Sequence, residues 1–259
     1  MSDSQLVGLA KDFFQNSLDS SPTSAIMRGH KKYFDQIEEL TEEQFQKEKD
    51  IVDTFIQRLN AIEKDNLTSR EKVTHGMLEF ALSSNKDSLL DRSWEFGAGV
   101  AGFTGFLIDY NQQIFVPDSE SADMMLKRLE LYKRLYTQIA DVQKVGLNNN
   151  RVATERNLLR TIDQLENYLA SSLDQDPLLL VNFSPEISDS EISEWKDKAK
   201  KIIEVNIRPT VSAYLDQLKT EHLPKGRGDD NCGIMWIDGG EESYFCLLYT
   251  SDAADDLWC

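Results

Sequence analysis

Apolar residues recur at three- and four-residue steps along most of the chain, the spacing that gathers side chains on one face of an α-helix. Leu6, Leu9, Ala10, Phe13, Phe14 and Leu18 predict a first helix, ended by Ser21-Pro22. Residues 23–28 predict a short second helix, stopped at Gly29. Thr41 and Gln44 form a capping-box pattern, in which the hydroxyl accepts from an open backbone N–H and the Gln side chain reaches back. The helix that follows should bury Phe45, Val52, Phe55, Ile56, Leu59 and Ile62. Thr68 and Glu71 repeat the box, and the next helix is expected to turn Val73, Met77, Phe80 and Ala81 inward. A short connection predicts that these two helices form an antiparallel hairpin.

The pattern persists downstream. Met125, Leu129, Tyr132, Leu135, Tyr136, Ile139 and Val142 share a stripe over residues 121–145, with Gly146 placed to end the helix. Residues 152–171 carry Leu158, Leu159, Ile162, Leu165 and Leu169, predict a second hairpin, and stop at Asp176-Pro177. Ser188 and Glu191 cap a last long helix with Ile192, Trp195, Ala199, Ile202, Ile203, Ile207, Val211, Tyr214, Leu215 and Leu218 on one face. Pro209 lies inside it, lacks a backbone donor, and should kink or split it. Residues 224–233 read as a polar loop, Ile234, Trp236 and Ile237 as a short strand, and Gly239-Gly240 as a turn. Residues 89–115 interleave Trp94, Phe96, Phe103, Phe106, Tyr110 and Phe115 with four glycines, so helix is less favoured there. The fold class is mainly α: an array of antiparallel helical hairpins with a short extended segment near the C-terminus.

Composition narrows the partners. The 259 residues are 40% hydrophobic and 28% charged, as in a globular protein, and the formal net charge is -17. So acidic a surface repels nucleic-acid phosphate and anionic membrane, and neither is expected as a partner. The longest uncharged apolar stretch, residues 96–108, is too short to span a bilayer. The first residues carry neither the basic residues nor the apolar run of a signal peptide, and a cytoplasmic setting is expected. Residues 246–259 look like one reading frame of a transposase-end adapter from sequencing-library preparation; the competing reading is a natural acidic tail. On the adapter reading, residues 1–245 are the N-terminal helical part of a larger, truncated domain. Cys232 is then the one cysteine left, which fits a reducing compartment.

Candidate chemistry is sparse. His30, His75 and His222 are far apart in sequence and belong to no metal-ligand spacing. His30 is expected to cap a helix end, His75 to sit at a boundary, and His222 to meet a helix C-terminus. The carboxylate pairs Glu38/Glu39, Glu42/Glu43 and Glu241/Glu242 read as solvated faces. No Gly-x-Ser-x-Gly elbow is present, and Cys232 has no evident base partner. The loop Lys225-Gly226-Arg227-Gly228 lacks the phosphate-loop pattern; it could hold a substrate carboxylate through Lys225 and Arg227, or be a surface turn. Trp94, Phe103 and Phe106 could line a cleft, with core packing the favoured reading.

Several segments occur in a telling order: Ser21-Pro22-Thr23-Ser24-Ala25 to Gly29-His30, and residues 151–180 ending Asp176-Pro177-Leu178-Leu179. Then come Ile207-Arg208-Pro209 with Tyr214, Leu223-Pro224-Lys225-Gly226-Arg227, and Gly239-Gly240 with Tyr244. Together they resemble the bacterial domain of unknown function 885 family over nearly all of residues 1–245. The resemblance implies a longer, largely helical protein related to gluzincin-type zinc metallopeptidases. Its His-Glu metal helix would lie downstream of the Gly-Gly turn. It therefore implies zinc and a peptide-like substrate for the full-length protein, and no cofactor, zinc ligand or catalytic residue within this chain. The missing C-terminal half of the same chain becomes the expected partner, and the chain would form one wall of the substrate cleft. A second hypothesis is a non-catalytic acidic helical protein that binds a peptide or partner through its glycine–aromatic region. A third is that the chain alone is only partly soluble, or oligomerises, because helices meant for the missing half expose apolar faces.

Overall fold

A computed structural model of the chain describes residues 5–97 and 110–250, with side chains described over residues 5–97 and 111–245. Phe103 and Phe106 lie outside the described residues. The chain divides into two compact units, one formed by Met1–Asp19, Thr41–Ser93 and Gly233–Cys259, the other by Ser20–Leu40 and Trp94–Cys232.

In the first unit, α1 (Gln5–Ser20), α3 (Glu42–Asn60) and α4 (Ser69–Asp91) share a core of Leu6, Leu9, Val52, Phe55, Leu59, Leu78 and Leu82. Phe13 meets Phe55 edge-on, with centroids 5.7 Å apart. The expected box at Thr41 forms by half, since the Gln44 side chain turns to Glu48 at 3.1 Å, and the one at Thr68 forms in full. Thr41 accepts from the Gln44 N–H at 3.2 Å, and Thr68 with Glu71 makes a complete capping box. The ion pairs Lys86–Asp53 and Arg92–Glu42 step back along α3 as the chain advances along α4, so the two helices run antiparallel. The inward face of α4 differs from expectation. His75, Leu78 and Leu82 are buried, while Val73, Met77 and Phe80 are exposed. The expected strand at Ile234–Ile237 is instead a 3-10 turn, Ile234–Trp236. Gly239 takes φ 71°, and Gly240 opens a helix, α9 (Gly240–Thr250). A Cβ on Gly240 would fall 1.8 Å from the Ile234 carbonyl oxygen, so helix and turn fit only around glycine.

The second unit holds α2 (Pro22–Met27), which ends at Gly29 with φ 83° as expected. It also holds α5 (Ser119–Asn148), α6 (Glu155–Ala170), α7 (Asp189–Ile202) and α8 (Arg208–Gln217). Gly146 does not end α5. It lies inside the helix, where a Cβ would come within 2.4 Å of the Glu95 carbonyl oxygen. Helix α5 packs on α7 and α8, and α6 on α8, more than on one another, so the second hairpin is opened by helices that arrive later in the chain. Strands β1 (Phe115–Val116) and β2 (Asn182–Phe183) form a two-residue parallel pair, with Phe115 beside Asn182. Trp195 anchors α7, donating from Nε1 to the Ala122 carbonyl at 2.8 Å.

Pro209 acts as the sequence predicts, by a specific route. A π-turn at Ile203–Ile207 separates α7 from α8, and the Arg208 N–H reaches the carbonyl of Ile203. A second π-turn, Leu218–His222, precedes Leu223-Pro224, and the Leu223 N–H reaches Leu218. In each case the wider turn falls just before a proline. Proline has no N–H and its ring displaces an upstream carbonyl, so the preceding turn takes up the extra residue.

Candidate functional site

Lys225 and Arg227 lie on a strap that follows the second π-turn. The 3-10 turn Leu223–Lys225 leads into residues 226–231, which lie against the start of α6. The Arg227 N–H donates to the Ala153 carbonyl at 3.1 Å, and the Glu155 N–H donates to the Arg227 carbonyl at 2.9 Å. Thr154 and Arg227 thus form an isolated parallel bridge. Gly226 allows this approach, since a Cβ there would sit 2.9 Å from Glu155 Cα. The Arg227 guanidinium turns back onto its own chain, with Nε to the Val152 carbonyl and Nη1 to the Asn231 carbonyl, both at 2.8 Å. Burial pulls its pKa downward. Lys225 is exposed. The two cations share one loop, but Arg227 braces it and Lys225 is the more exposed of the two.

A second cluster was not singled out by charge spacing. Asp176 is fully buried and accepts from Arg208 Nη2 at 3.0 Å, from Arg208 Nε at 3.2 Å, and from the Leu178 N–H at 3.1 Å. Arg208 Nη1 also donates to the Ser171 carbonyl at 2.9 Å, and the guanidinium lies 5.4 Å from the Tyr168 ring centroid. Burial, then the charge of Asp176, pushes the Tyr168 hydroxyl above the usual phenol range. Burial does the same to Tyr214, whose hydroxyl donates to Gln143 Oε1 at 2.7 Å, and to Tyr136. Burial favours the neutral form of all three phenols, and the Tyr214 hydroxyl serves the core as a hydrogen-bond donor.

Two further joints have the same character. Glu38 receives the Thr23 N–H at 2.9 Å and the Thr23 hydroxyl at 2.7 Å, while buried Arg128 donates to that hydroxyl and to the Gln36 carbonyl. Arg151 pairs with Glu95 at 2.7 Å, both buried, and covers the Phe96 ring. At Arg208 and Arg128 the joint fixes a loop to a helix through a guanidinium fork, the geometry best suited to holding carboxylates and carbonyls together, while Arg151 and Glu95 tie a loop to a 3-10 turn.

The histidines do not converge on a ligand set. His75 is core rather than boundary, 3.9 Å from Glu79. His222 is buried, with Nδ1 3.4 Å from the Gln217 carbonyl, and His30 meets Tyr33 edge-on. Among the described residues, no three His, Cys, Asp or Glu side chains come together to hold a metal. Cys232 is exposed. In the first unit, a groove of about 450 Å³ runs between α1 and α3, floored by Ile51 and Phe55 and rimmed by Asp12, Asp19, Asp50 and Lys47. Arg58 closes one side of it on Asp12 at 2.6 Å. Among the described residues, no helix is long and apolar enough to cross a membrane.

These features define a helical scaffold stitched by buried arginine joints. The chain belongs to a family described as bacterial protein of unknown function (DUF885), matched over residues 22–253. It is also similar in fold to the crystal structure described as "the putative lipoprotein from Colwellia psychrerythraea", with a TM-score of 0.75 and 15% identity. That likeness covers 96% of this chain and 46% of the other, so this chain spans under half of that protein's length. At this identity it shows the fold alone. No curated protein matches significantly. The segments that carry the family resemblance turn out to be joints. Asp176-Pro177 meets Arg208-Pro209 through the buried ion pair, and Leu223 to Arg227 forms the strap on α6.

Proposed function

We propose that this chain is the N-terminal helical part of a zinc-dependent, peptidase-like hydrolase, forming one wall of its substrate cleft. The supporting observation is length: a solved structure of the same fold matches nearly all of this chain and is more than twice as long. The described residues do not fit a zinc site, because no His, Cys, Asp or Glu set converges. No catalytic step is therefore assigned to them. On this reading the metal-binding residues and the peptide-like substrate belong to the longer chain; an adapter origin is proposed for residues 246–259, against which stands the family match running to residue 253. Lys225 is the residue proposed to meet a substrate carboxylate, while Arg227 holds the strap that presents it. The proposed setting is the cytoplasm, in keeping with the exposed thiol of Cys232.

The test is to recover the source reading frame past Phe245 and express both the longer chain and the 259-residue chain. Bound zinc and chelator-sensitive peptide cleavage are expected in the longer chain. A frame that continues without a His-Glu metal helix sinks the proposal.

A second reading, a non-catalytic peptide- or partner-binding protein, draws on the acid-rimmed, apolar-floored groove between α1 and α3. A stop codon in the source DNA directly after Phe245, together with saturable binding of a basic amphipathic peptide weakened in Asp50→Lys on the groove rim, would favour it.

A further inference from the structure

Helix α4 is apolar on two opposite faces. At 100° per residue, Leu78 and Leu82 point one way and Val73, Met77 and Phe80 the other. The first pair is in the core of its unit. The second set is 63%, 68% and 64% exposed. A helix that is apolar all round is normally covered all round. Single surface hydrophobics are common, but three large ones in an i, i+4, i+7 stripe form the kind of anchor row by which a helix face is held against a partner. Gly76 borders the stripe, and a Cβ there would meet nothing within 4 Å, so another backbone can approach closely.

We infer that Val73, Met77 and Phe80 on the outer face of α4 form a docking surface for the C-terminal remainder of the full-length family chain. The occupant is argued from length. The fold-matched structure covers 96% of this chain with only 46% of its own, so over half of such a chain must find surface to pack on. This inference rests on the proposal that the chain continues beyond its given end. It adds where the continuation docks.

Met77 provides a readout that needs no mutation, because thioether oxidation by peroxide follows solvent access. Mass spectrometry would compare Met77 oxidation in the 259-residue chain with that in the longer chain recovered from source DNA. Oxidation about tenfold slower in the longer chain is expected, because a packed cover excludes the oxidant. The double substitution Met77→Asp with Phe80→Asp should leave the helicity of the short chain unchanged and lower the melting temperature of the longer one. If the frame continues but Met77 oxidises equally fast in both chains, the docking inference fails while the longer-protein reading stands. A source frame that ends within this chain removes the occupant and overturns both. A discrete dimer of the longer chain that the double substitution splits would identify the occupant as a second copy, and would also overturn the inference.

Discussion

At Arg208 a guanidinium holds the one fully buried aspartate among the described residues, and the consequence is testable. Arg208→Met keeps much of the stem but leaves the carboxylate of Asp176 without its counter-charge. Breaking a buried pair from one side costs about 3–5 kcal/mol, far more than a surface ion pair contributes. A matching fall in urea-unfolding free energy is expected, with Arg208→Lys intermediate because it loses the fork. The pair Lys31–Asp118 is different, being solvent-exposed. The hydrogen bond from Lys31, then those from Ser121, hold the Asp118 carboxyl below its ordinary value of 3.8. A carboxyl depressed in the folded state stabilises fully above its unfolded pKa, and that contribution is lost as pH falls through the folded value. Lys31→Met should therefore flatten the loss of stability below pH 3.8, partially, since the Ser121 bonds remain. Melting temperatures measured across that range would check this. Neither role could be read from local sequence. Asp176 and Arg208 are 32 positions apart, and Lys31 and Asp118 are 87 apart.

At the scale of elements, two glycines in helices make opposite predictions. Gly146 in α5 touches the Glu95 backbone, which cannot yield as a flexible side chain could. Gly146→Ala should destabilise by about 1–3 kcal/mol despite the better helix propensity of alanine. Gly76 in α4 has open space, so Gly76→Ala in the 259-residue chain should stabilise by about 0.5–1 kcal/mol. Chemical denaturation of both variants tests the contrast, and equal signs would refute the packing argument. The same two helices show what periodicity can resolve. It finds α4 and its Thr68 cap correctly, because capping depends on three consecutive peptide units. It assigns the wrong inward face, because a helix with two apolar faces has no preferred side until its neighbours are placed. Proline does more than split the last long helix. The π-turns before Pro209 and Pro224 set where Arg208 and the strap begin.

For the molecule as a whole, the balance of charge and exposed apolar surface governs behaviour in solution. The formal charge of -17 opposes association, while the α4 stripe favours it at short range. The 259-residue chain should therefore self-associate more as salt screens its charge. Sedimentation velocity across protein concentration and ionic strength would measure it. A monomer at every concentration in high salt, with a sharp concentration-independent melting transition, would contradict it. The surroundings of Lys225 and Arg227 are also set at this scale. Docking residues 226–231 on α6 turns Arg227 onto carbonyls of its own chain and leaves Lys225 outside.

The sequence by itself determined the helical class, most helix boundaries, the caps at Thr41, Thr68 and Ser188, and the break ahead of Pro209. These follow from hydrogen bonding and side-chain spacing within a few residues, where the chain has few alternatives. Tertiary structure alone decided which face of α4 is buried, that α8 lies against both α5 and α6, that Gly146 is a contact rather than a cap, and which arginines brace which loops. These outcomes depend on groups brought together from distant positions. A buried guanidinium takes whichever carboxylates and carbonyls the assembled core places within reach, and no local pattern encodes that choice.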